Sequence, residues 1–498
     1  MDADAVRSRL CAPFSIKSNN TRSASISIGV LHEGQVIFTR SRGFRDVESQ
    51  APADSDTNYL LCSLSKAFTA SCCGILVDER KLKWEEPIQS CISFTNAVDP
   101  VIGQRATVQD ALSHNTGLAH MDLTWLGVEC NCILEKKELL EVFEFLKRKI
   151  LKPLEMHRTR TRRTTLPDDN FAEPHVVLDD HSLHKQKPVD TAAVNMLMGP
   201  AGAVWSCVSD LMIWAKALLD GLQGNPDTVL KQVSTIMSHK TNITSSSIGE
   251  NTYGLGFARA MIPTTELGMF SLNGPQREHI IGQNSRPRLV LYHNGGMSGY
   301  LTAFYLFPET RTAVVALGNS YSLGDGPDWS AQAIVQAMFN LEPRIDFAEV
   351  SSQRAKIEYE RYDRLAAEFD HFRDQERGKE GLCDVTLSDY VGKFTNRGLR
   401  MTLEVGRGTE KSLIMVVNNL VSQHHQLRNF SRDKLGFLPC SRKEFVVREF
   451  IDWFQWDQFV LSFERNKESG KVVGVRWALQ VGLEPVQFHK VAEAESAE

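Results

Sequence analysis

The chain has 498 residues, 42% of them hydrophobic and 23% charged. At about 150 residues per domain that allows two to four domains, and the composition excludes wholesale disorder. A net charge of −5 excludes a broadly basic nucleic-acid-binding surface. No apolar run approaches the roughly 20 residues of a membrane-spanning helix, and Met1 to Asn20 lack the apolar core of a secretory signal. The ten cysteines, with Cys72 and Cys73 adjacent, read as reduced thiols and not as a disulfide framework. Cys130-x-Cys132 lacks a second ligand pair at zinc spacing. The expectation is a soluble cytoplasmic protein with no metal, no cofactor, no nucleic-acid partner and no membrane partner.

In chain order, residues 24–31 alternate apolar and small side chains, His32-Glu33-Gly34-Gln35 reads as a hairpin turn, and Val36-Ile37-Phe38 resumes the strand. After Asn58, Leu60, Leu61, Leu64, Ala67, Phe68 and Cys72 fall three or four apart, the period of a helix face. The spacing predicts a second helix over Lys136–Leu151, closed by Pro153, and a third from Ser209-Asp210 to Gly221. Strands are expected at Arg288–His293, Ala303–Phe307 and Ala313–Leu317. Residues 350–380 are charged with sparse apolar positions and read as a solvated connecting helix. Short alternating runs follow at Leu399–Val405, Leu413–Val417, Glu444–Ile451, Phe459–Glu464 and Val472–Leu479, the spacing of a small antiparallel barrel or sandwich.

Ser63-Leu64-Ser65-Lys66 is a Ser-x-x-Lys tetrapeptide. Three residues apart on a helix places hydroxyl and ammonium on one face. A serine hydroxyl needs a neighbour that takes its proton, and a partly desolvated lysine can be that base. Ser182-Leu183-His184-Lys185 and Ser431-Arg432-Asp433-Lys434 match the pattern too, in polar surroundings. Only the first opens an apolar helix, where backbone N–H groups and the helix dipole favour developing negative charge. A structural helix start remains the alternative. Ser65 is one residue from Lys66 and points elsewhere.

Further landmarks follow in order. They are Val30–Ile37 with Arg42-Gly43-Phe44-Arg45-Asp46, the run from Ala106 through Ser113-His114-Asn115-Thr116-Gly117-Leu118, and Lys152-Pro153-Leu154-Glu155-Met156. Then come Gly199-Pro200-Ala201-Gly202-Ala203-Val204-Trp205-Ser206, Tyr253-Gly254-Leu255-Gly256 and His293-Asn294-Gly295-Gly296. Over residues 20–345 the chain resembles the serine β-lactamase-like proteins, close to class C β-lactamases and D-stereospecific esterases and peptidases, whose nucleophile motif is Ser-x-x-Lys. From about residue 385 it resembles, more loosely, the lipocalin-like barrel fused to fungal and bacterial members. The resemblance implies an α/β (α+β) fold, an antiparallel sheet with a helical region at 1–345, a charged helical linker at 346–384, and an all-β domain at 385–490. It implies Ser63 as nucleophile and Lys66 as base. His293, Asn294 and Gly295 would line the cleft and bind substrate or oxyanion, the hole being formed by the Ser63 N–H and an N–H of that strand.

One part of the family pattern is missing. Members carry Tyr-x-Asn, whose tyrosine relays protons, yet no tyrosine lies between Tyr59 and Tyr253. Ser113-His114-Asn115, Ser271-Leu272-Asn273 and Tyr292-His293-Asn294 do not stand at its place in the order. A substituted partner, a lost exon and an inactive protein all remain open. The resemblance implies acyl transfer to water or an alcohol through a Ser63 acyl-enzyme. The substrate class it implies is a small molecule, a secondary metabolite as in intracellular fungal members. A binding or scaffold protein that has lost the relay is the alternative. The basic run from Lys147 to Arg163 lacks interleaved aromatics and reads as a solvated face.

Overall fold

The computed structural model describes residues 23–92, 100–119, 121–130, 133, 144–163, 166–189, 199–244, 250–274, 278–297, 299–321, 323–380, 386–408, 412–450 and 453–492. Met1 to Asn20, Cys132 and the first half of the expected Lys136–Leu151 helix lie outside them. The chain divides into two compact units, Met1–Leu118 with Glu138–Lys356, and Ala119–Lys137 with Ile357–Glu498.

In the first unit the N-terminal alternation forms β1 (Ser25–His32) and β2 (Gln35–Asp46). Glu33 and Gly34 between them both take positive φ, 51° and 79°, as the twist of a two-residue hairpin requires. With β3 (Ala51–Pro52), β4 (Thr241–Asn242), β5 (Asn251–Tyr253), β6 (Ala258–Ile262), β7 (Arg288–Met297), β8 (Tyr300–Phe307) and β9 (Thr312–Gly318) they make one sheet, ordered β3-β2-β1-β9-β8-β7-β6-β5-β4. β1 pairs antiparallel with β9, Ile28 opposite Ala316, so strands nearly three hundred residues apart in the chain share a sheet. Every residue of β8 and β9 is buried, because helices cover both faces. On one face α1 (Ser65–Asp78) and α2 (Val208–Leu222) pack through Phe68 on Trp214, ring centroids 4.0 Å apart, with Trp214 against Phe304 at 5.1 Å. On the other, α3 (Gly326–Phe339) brings Trp329, Ile334 and Met338 onto Tyr292, Ala303, Tyr305 and Val314. The body is thus a mixed α/β layer structure with a large antiparallel sheet.

α4 (Phe347–Glu380) is a 34-residue helix. Its sparse apolar residues are not idle: Tyr362, Leu365, Ala366 and Phe369, spaced three and four apart, pack on the core of the second unit.

That unit is a closed eight-stranded barrel of β10 (Gly392–Asn396), β11 (Met401–Arg407), β12 (Leu413–Val417), β13 (His424–Ser431), β14 (Lys434–Gly436), β15 (Val460–Arg465), β16 (Val472–Trp477) and β17 (Val486–Lys490). Phe394, Leu403, Met415, Leu427, Val475 and Phe488 are all buried in its core. The strand expected at Glu444–Ile451 is instead α5 (Arg442–Val447). The Ser441 hydroxyl accepts from Glu444 N at 3.2 Å, an N-cap that outweighs the apolar alternation behind it; Ile451 lies outside the described residues.

The segment after Leu118 also belongs here. Leu123, Val128 and Ile133 join the barrel's core. The Gln423 side chain bonds both ways to Val128, accepting from its N and donating to its O at 2.9 Å each. No described helix is long and apolar enough to cross a membrane.

Candidate active site

Ser63 occupies a 3₁₀ turn, Cys62–Leu64, that runs straight into α1. Cys62 just before it has φ 51°, a left-handed conformation uncommon outside glycine that turns the chain sharply. One turn on, Lys66 Nζ donates to Ser63 Oγ at 2.8 Å, with Ala201 O 3.5 Å away. Ser65 is fully buried and its Oγ accepts from Val204 N at 3.0 Å, so it is occupied as a structural link.

Three segments clamp this turn. The 199–206 run reaches it through Val204 O, which accepts from Leu61 N at 2.8 Å, and Pro200 O, which accepts from Thr69 Oγ1 at 2.6 Å. Gly256, φ 76°, packs so tightly on α1 that a Cβ there would stand 2.9 Å from Lys66 O. Gly295 of β7 packs tighter still, its hypothetical Cβ 2.4 Å from Leu61 O and 3.1 Å from Ser63 N. β6 pairs with β7 only over residues 288–292, whereas β8 pairs with it through 297. The Ser63 turn lies against this last stretch of β7.

His293 and Asn294 point to opposite faces of β7, as strand alternation demands. His293 is paired across the sheet with Phe304 and faces the α1 side, as Gly295 does. Its Nδ1 donates to Asn294 O, and Nε2 accepts from Tyr253 OH at 2.9 Å. Burial, with Lys66 and then His114 nearby, pushes its pKa down to about 3, so the ring is neutral and both nitrogens are engaged. Asn294 donates from Nδ2 to Asp328 Oδ1 at 3.0 Å, away from Ser63. The structure therefore brings Ser63, Lys66, His293 and Gly295 together and turns the Asn294 side chain into the sheet's other face.

Sequence reasoning did not single out Tyr253 or Asp328. The Tyr253-Gly254-Leu255-Gly256 landmark contained the first; nothing local marked the second. Asp328 also accepts from Tyr305 OH, and from Ser271, Asn273 and Gln332 at 3.0–3.1 Å. That uses up the Ser271 and Asn273 side chains as structural donors. Desolvation raises the pKa values of Asp325 and Asp328, and the Asp328 carboxylate raises that of Asp325 further.

The rival Ser-x-x-Lys pairs sit apart from any such turn. Ser182 Oγ bonds Asp180 at 2.5 Å and Lys185 pairs with Asp46 at 3.2 Å. Ser431 and Lys434 both bond Glu376, at 2.7 and 2.6 Å. Within the basic run, Lys149 pairs with Glu79, Arg158 with Asp168 and Arg163 with Glu173.

A serine and a lysine one helical turn apart, at the head of a helix beside a large antiparallel sheet, are the arrangement of the β-lactamase and transpeptidase class. The chain belongs to the Beta-lactamase family, whose model matches residues 16–129 and 132–337. It is 23% identical over 349 residues to the Unguisins hydrolase ungD of Aspergillus violaceofuscus, covering 59% of this chain and 58% of that protein. It is 22% identical over 335 residues to Protein flp of Staphylococcus aureus strain MW2, 59% of each chain. A 50-residue stretch, 10% of this chain and 9% of the relative, is 40% identical to a D-aminopeptidase of Cereibacter sphaeroides. The chain thus spans well under two thirds of the length of these curated relatives. The octameric penicillin-binding protein homologue from Pyrococcus abyssi shares the fold, with TM-score 0.53 and 15% identity over 98% of this chain and 100% of that one.

Proposed function

We propose that this chain is a serine acyl-transfer enzyme acting on an ester, lactone or amide of a small molecule. The observation that carries the proposal is the 2.8 Å contact between Lys66 Nζ and Ser63 Oγ, made where β7 packs on the Ser63 backbone N. Lys66, as the free amine, takes the Ser63 proton while Oγ bonds to the substrate carbonyl carbon. The Ser63 N–H and an N–H of β7 hold the oxyanion. The bond to the leaving alcohol or amine then breaks, and the leaving group takes the proton from Lys66. Water repeats the sequence on the acyl-enzyme, releasing the acid and restoring Ser63; an alcohol in its place gives a new ester.

A relative named a hydrolase, in an Aspergillus, and one named a D-aminopeptidase support the hydrolytic form; the reading takes a fungal secondary metabolite as substrate. The reading includes a cytoplasmic setting, and neither a cofactor nor a nucleic-acid or membrane partner. A non-catalytic binding protein is the second reading. It is favoured by the hydroxyls of Tyr59, Tyr253, Tyr292, Tyr300 and Tyr305, which bond to Ser25 and Ser27, His293, Glu266, Ala172 and Asp328 and leave none of these five to relay protons at Ser63.

Labelling with a fluorophosphonate and turnover of p-nitrophenyl esters separate the two. Ser63→Ala should abolish labelling, and Lys66→Ala should cost at least about 10²-fold in turnover. His293→Ala should cost less, since its nitrogens serve Tyr253 and the backbone. A well-folded wild type that takes up no label supports the binding protein.

A further inference from the structure

His293, on the strand that packs against Ser63, has no hydrogen bond left to give a substrate carboxylate. Asn294 O takes its Nδ1 proton and Tyr253 OH fills Nε2. The residue is 3% exposed. What lies over it is Phe270, stacked at 5.5 Å and 12° and itself 41% exposed. Phe270 also meets Tyr253 edge-on at 5.6 Å, and the exposed His114 tilts against the same tyrosine at 5.3 Å. His293 is two strand residues, about 7 Å, from Gly295, which packs on Ser63 N.

We infer that Phe270, backed by the occupied His293–Tyr253 pair, sets the substrate class of this site: an acyl group with an uncharged apolar or aromatic chain, which packs on the exposed Phe270 ring, and not one with a carboxylate at that place. The inference rests on the acyl-transfer reading. An imidazole held neutral by burial, with both nitrogens used, gives an anion neither charge nor a donor, and a carboxylate set against the phenyl ring would lose its hydration without replacement. An apolar chain gains the ring's surface.

The test compares kcat/KM for p-nitrophenyl acetate, p-nitrophenyl hexanoate and its ω-carboxylate analogue p-nitrophenyl adipate, each corrected with Ser63→Ala. The hexanoate should be preferred over the adipate by at least about tenfold. Phe270→Ala should lower the hexanoate-to-acetate ratio by about tenfold, mainly through KM, and Phe270→Leu should keep most of it. Ser63-dependent turnover that favours the adipate, or a ratio that Phe270→Ala leaves unchanged, overturns the substrate class while the acyl-transfer reading stands. Absence of Ser63-dependent turnover on all three esters overturns both.

Discussion

At the scale of single residues the site depends on close backbone approach. Gly295 has room for a hydrogen and nothing more: a Cβ would come 2.4 Å from Leu61 O, a backbone atom that cannot swing aside. At neighbouring Gly296 the nearest atom is the flexible end of Leu301, at 3.3 Å. Gly295→Ala should therefore push β7 off the Ser63 turn, lowering kcat/KM by at least about tenfold and stability by about 1–3 kcal/mol, whereas Gly296→Ala should be near neutral in stability. Ester kinetics beside thermal melts of both variants check this; equal losses at the two positions would refute it. The Ser63–Lys66 pair was legible in the sequence because a helix turns three-residue spacing into contact. The engagement of His293 was not, because its partner Tyr253 lies 40 residues away and only the folded sheet brings them together. Asn294 was expected in the cleft beside His293, whereas strand alternation turns its side chain to the other face, where its acceptor Asp328 sits on a helix that no local pattern marks.

At the scale of elements, long regular segments were readable and short capped or inserted ones were not. Strands β7, β8 and β9 all cover their expected cores, since continuous apolar runs buried on both faces leave little choice. Arg442–Val447 deceived because its apolar residues suit either state, and the Ser441 cap decided for helix. The 119–133 segment carries no local mark at all of joining a barrel nearly three hundred residues later. Its attachment is specific: Gln423 is 1% exposed and makes both hydrogen bonds to Val128. Gln423→Ala should cost about 1–3 kcal/mol, because it leaves two buried backbone groups unpaired; urea unfolding of the full chain measures it. A fragment of residues 357–498 should bind a synthetic 119–137 peptide, and bind it far less well after Val128→Asp. Calorimetric titration showing no binding of the native peptide would mean that the barrel core closes without Leu123, Val128 and Ile133.

For the whole molecule, buried titratable groups set opposing pH dependences. Burial depresses the pKa values of His293, His32, His175 and His425. The unfolded chain, with histidines near 6.5, then binds protons that the native state refuses. Their contribution is present above pH 6.5 and is lost as pH falls toward the folded values. His293, folded near 3, accounts for at most about 5 kcal/mol of that. Asp325 and Asp328 act in the other sense: desolvation raises both folded pKa values, and for Asp325 the Asp328 carboxylate adds to it. The native state holds a proton there that the unfolded state gives up near 3.8. Stability from this pair is full below 3.8 and declines as pH rises through the folded values. Asp325 Oδ1 caps α3 by accepting from Asp328 N at 2.9 Å, while its buried Oδ2 lacks a hydrogen-bond partner. Asp325→Asn keeps the cap and removes one of two adjacent carboxyls. It should stabilise the protein by about 1–3 kcal/mol at pH 7 and by little at pH 4. Urea midpoints for wild type and variant from pH 4 to 8 measure this. A gain that stays the same across the range would mean that repulsion between the two carboxylates is not what the substitution relieves.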